Sequence, residues 1–122
     1  MNSTPYILEI LSVGTSDDPL VNSIEAVKPS RIIFFHSPQS VNTVDNVIEK
    51  LKSKGIFLKP QDYDKVQVTD PERIDVCLES ILSEILPKVR DWKKKGKDFK
   101  VTVDITGGTK TQTSALAIYS IY

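Results

Sequence analysis

Apolar and polar positions along this chain change period repeatedly, from runs that suit strands to the three-to-four spacing of helices. Residues 6–13 are almost wholly apolar, with Glu9 the odd member, and read as a strand buried on both faces. Gly14, Thr15 and Ser16 follow as a turn, and Asp17 or Asp18 is expected to cap a helix with Pro19 near its first position. Leu20, Val21, Ile24 and Val27 recur at helical spacing until Pro29 stops them. Residues 31–36, with Ile32, Ile33, Phe34 and Phe35 in a row, predict a second buried strand. Ser40 is placed to cap the next helix, with Val41, Val44, Ile48 and Leu51 on one stripe and Gly55 at its end.

In the middle of the chain, Pro60 and Asp62 interrupt any strand begun at residues 56–58, so the third strand is expected at residues 65–69. Asp70 and Pro71 open the longest helical pattern, with Ile74, Leu78, Ile81, Ile85, Val89 and Trp92 on its inner face. Pro87 removes a backbone donor there and predicts a kink. Lys93, Lys94, Lys95 and Gly96 close that helix with cations at its negative end. Residues 99–105 are the last clear strand, and Thr111 onward the last helix. Strands alternating with helices predict an α/β fold: Rossmann-like, doubly wound, mainly parallel, with helices on both faces and right-handed crossovers. The chain reaches Tyr122 inside an all-round apolar helix, where such folds usually continue to further strands. It is therefore expected to be one domain, residues 1–122, of a longer protein.

Composition narrows the function classes. Sixteen basic and sixteen acidic residues cancel, so no global field draws the chain to long nucleic acid or an anionic membrane. A polyanion would meet it in a local pocket. The single cysteine, Cys77, precludes an intrachain disulfide and suits a reducing cytoplasm; its place in the helical stripe reads as a packed core thiol. No run of about eighteen apolar residues is present, and residues 1–5 lack the layout of a signal peptide. A soluble, cytoplasmic domain is the expectation.

The chemistry concentrates in V-T-V-D-I-T-G-G-T-K, residues 101–110, where a strand gives way to two glycines, a hydroxyl, a lysine and a helix start. That arrangement aims backbone N–H groups and a positive dipole end at an anion. Gly107 and Gly108 would admit it close to the main chain, and Lys110 would add a mobile charge. With strand order 3-2-1-4, the turns after strands one and four meet at a crevice on the carboxyl edge of the sheet. Phosphate-binding candidates are thus Gly14, Thr15 and Ser16 together with Thr106, Gly107, Gly108, Thr109 and Lys110. His36, the sole histidine, ends strand two at the same edge and joins them as a ligand-contact candidate, with Ser37 and Gln39 beside it. Asp104 has no second carboxylate or histidine at ligand spacing, so neither a metal site nor a bound cofactor is expected. The Walker spacing is broken by Thr109, and G-x-G-x-x-G is absent after strand one.

The pair formed by G-T-S with D-P-L-V-N-S-I after strand one, and D-I-T-G-G-T-K after strand four, resembles the CARF domain, the CRISPR-associated Rossmann fold of type III CRISPR ancillary effectors. The resemblance covers the whole chain. It implies a homodimeric sensor that binds a cyclic oligoadenylate messenger, with cyclic tetra-adenylate favoured, across its two-fold axis. An attached effector outside this chain would be regulated allosterically in antiviral defence. It would put Gly14, Thr15 and Ser16 against the ligand's ribose-phosphate and residues 106–110 on the neighbouring phosphates. Some members also cleave the ring without a metal, so a ring nuclease is the alternative, although no catalytic residue can be named here. A domain for a mononucleotide or sugar phosphate is the reading without the resemblance.

Overall fold

The computed structural model describes residues 6–94, 99–105 and 107–121. Four strands form one parallel sheet: β1 (Tyr6–Ser12), β2 (Arg31–His36), β3 (Tyr63–Gln67) and β4 (Phe99–Asp104), in the order β3-β2-β1-β4. The helices are α1 (Asp18–Val27), α2 (Val41–Ser53), α3 (Ile74–Ser80), α4 (Leu86–Lys93) and α5 (Lys110–Ile121). The α/β class and the 3-2-1-4 order are those the sequence predicts.

The inner strands β1 and β2 are largely apolar on both sides because both sides are covered. Leu8 and Ile10 of β1 and Ile33 and Phe35 of β2 pack with Cys77, Ile81, Ile85, Ala115 and Leu116 on the α3–α5 face. Leu11, Val13, Ile32 and Phe34 pack with Leu20, Val21, Ile24, Val44, Val47 and Leu51 on the α1–α2 face. Parity along each strand therefore sorts neighbouring residues into two separate cores. The first two crossovers cover one face and the third, with α5, covers the other, so the chain leaves β1 and β4 toward opposite faces of the sheet.

Helix ends are settled by contacts as much as by residue type. Asp17 stands at the N-cap of α1 and makes no side-chain cap; its carboxylate takes Lys50 at 2.7 Å instead. Ser40 likewise turns away from α2, accepting the Ser37 N–H at 2.9 Å to close a short 3-10 turn. Gly55, at φ +85°, ends α2 as predicted: its N–H reaches the Lys52 carbonyl and that of Ile56 the Leu51 carbonyl. β3 begins two residues before the expected segment, with Tyr63 edge-on to Phe34 at 5.9 Å between centroids.

The long helical pattern after Pro71 is broken by one π turn, Ile81–Ile85, in which the Leu86 N–H reaches back to the Ile81 carbonyl. Pro87 consequently falls in the first turn of α4, where a missing N–H breaks no helical bond. Ile74, expected on the inner face, is 40% exposed, while Cys77 takes the buried position. At the far end of α4, Trp92 lies under the Arg31 guanidinium, 4.4 Å from ring centroid to Cζ. Lys95 and Gly96, read as the helix end, lie outside the described residues.

Glu9 sits on the α1–α2 face with no exposed surface, bonded by Ser23 Oγ at 2.5 Å and with Oε1 unpartnered among the described residues. Burial raises its pKa above the ordinary carboxylate value, Ser23 offsets part of that rise, and Asp104 adds to it. A carboxyl that holds its proton more tightly when folded destabilises the fold as pH rises through its native pKa, and not below its unfolded one. Glu9→Gln keeps an acceptor for Ser23 and is expected to be more stable than the wild type at pH 7.5. Urea unfolding should show that difference shrinking as pH is lowered toward the ordinary carboxyl range; a pH-independent difference would contradict it.

Candidate functional site

Two loops leave the carboxyl ends of the neighbouring strands β1 and β4, and they come together backbone to backbone. A Cβ on Gly14 would stand 2.6 Å from the Gly108 nitrogen, and one on Gly107 would stand 2.6 Å from the Ser12 carbonyl oxygen. Gly108 has φ +85°, and a Cβ there would meet Ser12 Oγ and lie 2.9 Å from Gln112 Cδ. Gly14 and Gly107 are required where main chains would otherwise be held apart, and Gly108 where the turn is left-handed and rests on the side chains of Ser12 and Gln112. The turn after strand one and the turn after strand four are thus a single rim, as the topology argument expected.

Thr109 ties this rim down. Its Oγ1 accepts the Gln112 N–H at 3.0 Å, capping α5, and donates to the Pro71 carbonyl at 2.6 Å in the β3–α3 connection. With the hydroxyl engaged on both sides, Thr109 offers a ligand chiefly its backbone. Lys110 is the first residue of α5 and is exposed, as are Thr15, Ser16 and Gly108, while Gly14, Gly107 and Thr109 are half-buried. Thr106, the remaining candidate in this loop, lies outside the described residues.

Charge at the rim is divided unevenly. Asp17 and Asp18, next to Ser16, share the Lys50 ammonium at 2.7 Å each. That hydrogen bond lowers the Asp18 pKa, and Asp17 in turn raises that of Lys50. The one ammonium from α2 thereby offsets one of the two carboxylates beside the loop. Lys110 stands at the N-terminal end of α5, where the N–H groups favour an anion. The rim thus offers an anion the N–H groups of a helix start and one exposed lysine, Lys110.

His36 is only 3% exposed, and its Nδ1–H donates to the Ser37 carbonyl at 3.0 Å. Ser37 and Ser40, also buried, hold each other with hydroxyls 3.0 Å apart. His36 lies one strand from Ser12, beside the rim and beneath its surface; Gln39 is exposed. Cys77 is buried near the Asp70 and Pro71 carbonyls, and its thiol pKa is raised by burial first and by Asp70, Asp75 and Glu72 next. It is a packed thiol, as the sequence suggests.

Sequence reasoning misses two members of this site. Ser12 and Gln112 are fully buried directly under the glycine turn, and Gln112 Nε2 donates to the Phe35 carbonyl at 2.6 Å. The only signals were a polar residue at the end of an apolar strand and an amide in the first turn of an apolar helix.

No protein-family model and no curated protein matches this sequence. Solved structures do. Can2 from Sulfobacillus thermosulfidooxidans, in complex with cyclic tetra-adenylate, superposes with a TM-score of 0.67 at 20% identity, over 90% of this chain and 28% of that one. Csm6 from Enterococcus italicus, bound to cyclic hexa-2′-fluoro-hexa-dAMP, gives 0.72 at 11% identity, over 97% and 31%. Protein VC1899 from Vibrio cholerae gives 0.68 at 13% identity, over 95% and 28%. The chain spans less than a third of the length of each of these proteins. It has the Rossmann-like fold found within them, and no helix among the described residues is long and apolar enough to cross a membrane.

Proposed function

We propose that this chain is a CARF domain, a sensor that binds cyclic oligoadenylate on the rim formed by Gly14, Thr15, Ser16 and residues 107–110. The observation that carries the reading is the backbone contact of Gly14 with Gly108, which brings two polar, glycine-bearing loops to one solvent-facing edge at a helix N-terminus. Two of the proteins sharing its fold were solved with cyclic oligoadenylates, which supports that ligand class. Phosphates would lie against the backbone of Gly107 and Gly108 and near Lys110, with Thr15 and Ser16 on the ribose-phosphate. A ring with internal symmetry is matched by a two-fold dimer in which each copy supplies the same loops. Ligand would regulate an attached effector through a difference in affinity between two states of that dimer. Cyclic tetra-adenylate in the cytoplasm is the ligand and setting we favour.

Calorimetric titration of the chain with cyclic tetra-adenylate, cyclic hexa-adenylate, linear tetra-adenylate and AMP tests this. One cyclic tetra-adenylate per two chains, bound tighter than the linear form, is the expected result. Binding of AMP or a sugar phosphate with no response to either ring would overturn it. Incubating labelled ring with the chain in EDTA separates a sensor, which returns it intact, from a metal-independent ring nuclease.

A further inference from the structure

Beneath the rim, Gln112 reaches three parts of the fold at once. Its Nε2 donates to the Phe35 carbonyl at 2.6 Å and stands 3.5 Å from the Val13 carbonyl, while its backbone N–H is held by Thr109 Oγ1. The same Phe35 carbonyl accepts the Val13 N–H at 2.9 Å, so the amide joins the last rung between β1 and β2. Gln112 Cδ and Nε2 lie 2.9 and 3.0 Å from where a Cβ of Gly108 would be, so the carboxamide is the floor of the turn. Among the described residues, Oε1 of Gln112 and Oγ of Ser12, both buried in this layer, have no hydrogen-bond partner. An amide buried at that cost persists where the bonds that it does make hold something in place.

We infer that Gln112 is a positioning residue for the anion loop: its carboxamide fixes Gly107 and Gly108 over the ends of β1 and β2, and it touches no ligand itself. Its effect on affinity rests on the function proposed above; its effect on the turn does not. Methionine in its place keeps volume and helix propensity and removes only the amide.

Gln112→Met and a control, Leu116→Val, which disturbs the same helix and core away from the rim, separate positioning from general support. Amide hydrogen exchange of the free chain is read at Val13, whose N–H bonds the Phe35 carbonyl, against Ile33, whose amide reports global opening. Gln112→Met should raise exchange at Val13 relative to Ile33 by about tenfold, the scale of one lost hydrogen bond. Leu116→Val should leave the ratio unchanged. In the liganded arm, Gln112→Met should weaken cyclic tetra-adenylate binding by roughly tenfold at a temperature where every variant is folded, with Leu116→Val at wild-type affinity. An unchanged exchange ratio, or wild-type affinity in Gln112→Met, overturns the inference. A raised ratio in a chain that binds no cyclic oligoadenylate keeps the positioning role and removes the proposed function.

Discussion

Gly14→Ala is expected to lower stability by about 2–3 kcal/mol, the cost of overpacking a close contact, and the melting temperature by roughly 6–15 °C. The backbone of Gly14 has no positive φ, so the methyl group itself is the problem: it would sit 2.6 Å from the Gly108 nitrogen and 3.3 Å from its Cα. Main-chain atoms cannot swing aside as a side-chain tip can. Relief comes only by separating the two loops, which opens the rim and removes the ligand site with it. Gly55→Ala is the matched comparison, because Gly55 has φ +85° but nothing within 4 Å of the added carbon. It should cost about 1–2 kcal/mol through backbone conformation alone and leave binding intact. Thermal melts with titration of both variants check this; equal affinity in Gly14→Ala would mean that the loop contact is unrelated to the site.

Lys110→Ala is expected to weaken cyclic tetra-adenylate binding by about 1.5–3 kcal/mol, the scale of a charge-assisted phosphate contact. That corresponds to roughly 10–150-fold in dissociation constant. Because Lys110 is an exposed first residue of α5, stability should change by no more than about 0.5 kcal/mol. The two effects are therefore separable in one variant. The loss should shrink as salt is raised, since exposed charges are screened over about 8 Å at physiological ionic strength. Calorimetry at two salt concentrations reads both quantities, and unchanged affinity would take Lys110 out of the site.

How much of this was legible beforehand follows from how far apart the interacting residues lie in sequence. Strand parity, the alternation of strands and helices, and the glycine turns after strands one and four are local patterns, and they carried the fold and the rim. Asp17 and Ser40 are chemically suited to capping, yet a lysine thirty-three residues away took one and Ser37 took the other. β3 starts at Tyr63 because an aromatic contact with Phe34 extends the strand past the Pro60 turn. Val47, absent from the expected stripe of α2, is fully buried in its core. Gln112 was unreadable, since its partner Phe35 lies seventy-seven residues earlier and a glutamine in a helix usually needs no partner.

The π turn before Pro87 does more than make room for that proline. One surplus residue advances the helical phase by about 100°, so everything after it is rotated relative to what came before. The side chains of α4 are therefore turned about the helix axis relative to those of α3, and the indole of Trp92 arrives under the Arg31 guanidinium at the start of β2. Deleting a single residue from the bulge would undo that offset and swing the indole away from its cation. The bulge thus acts as a gear tooth between the two ends of the crossover.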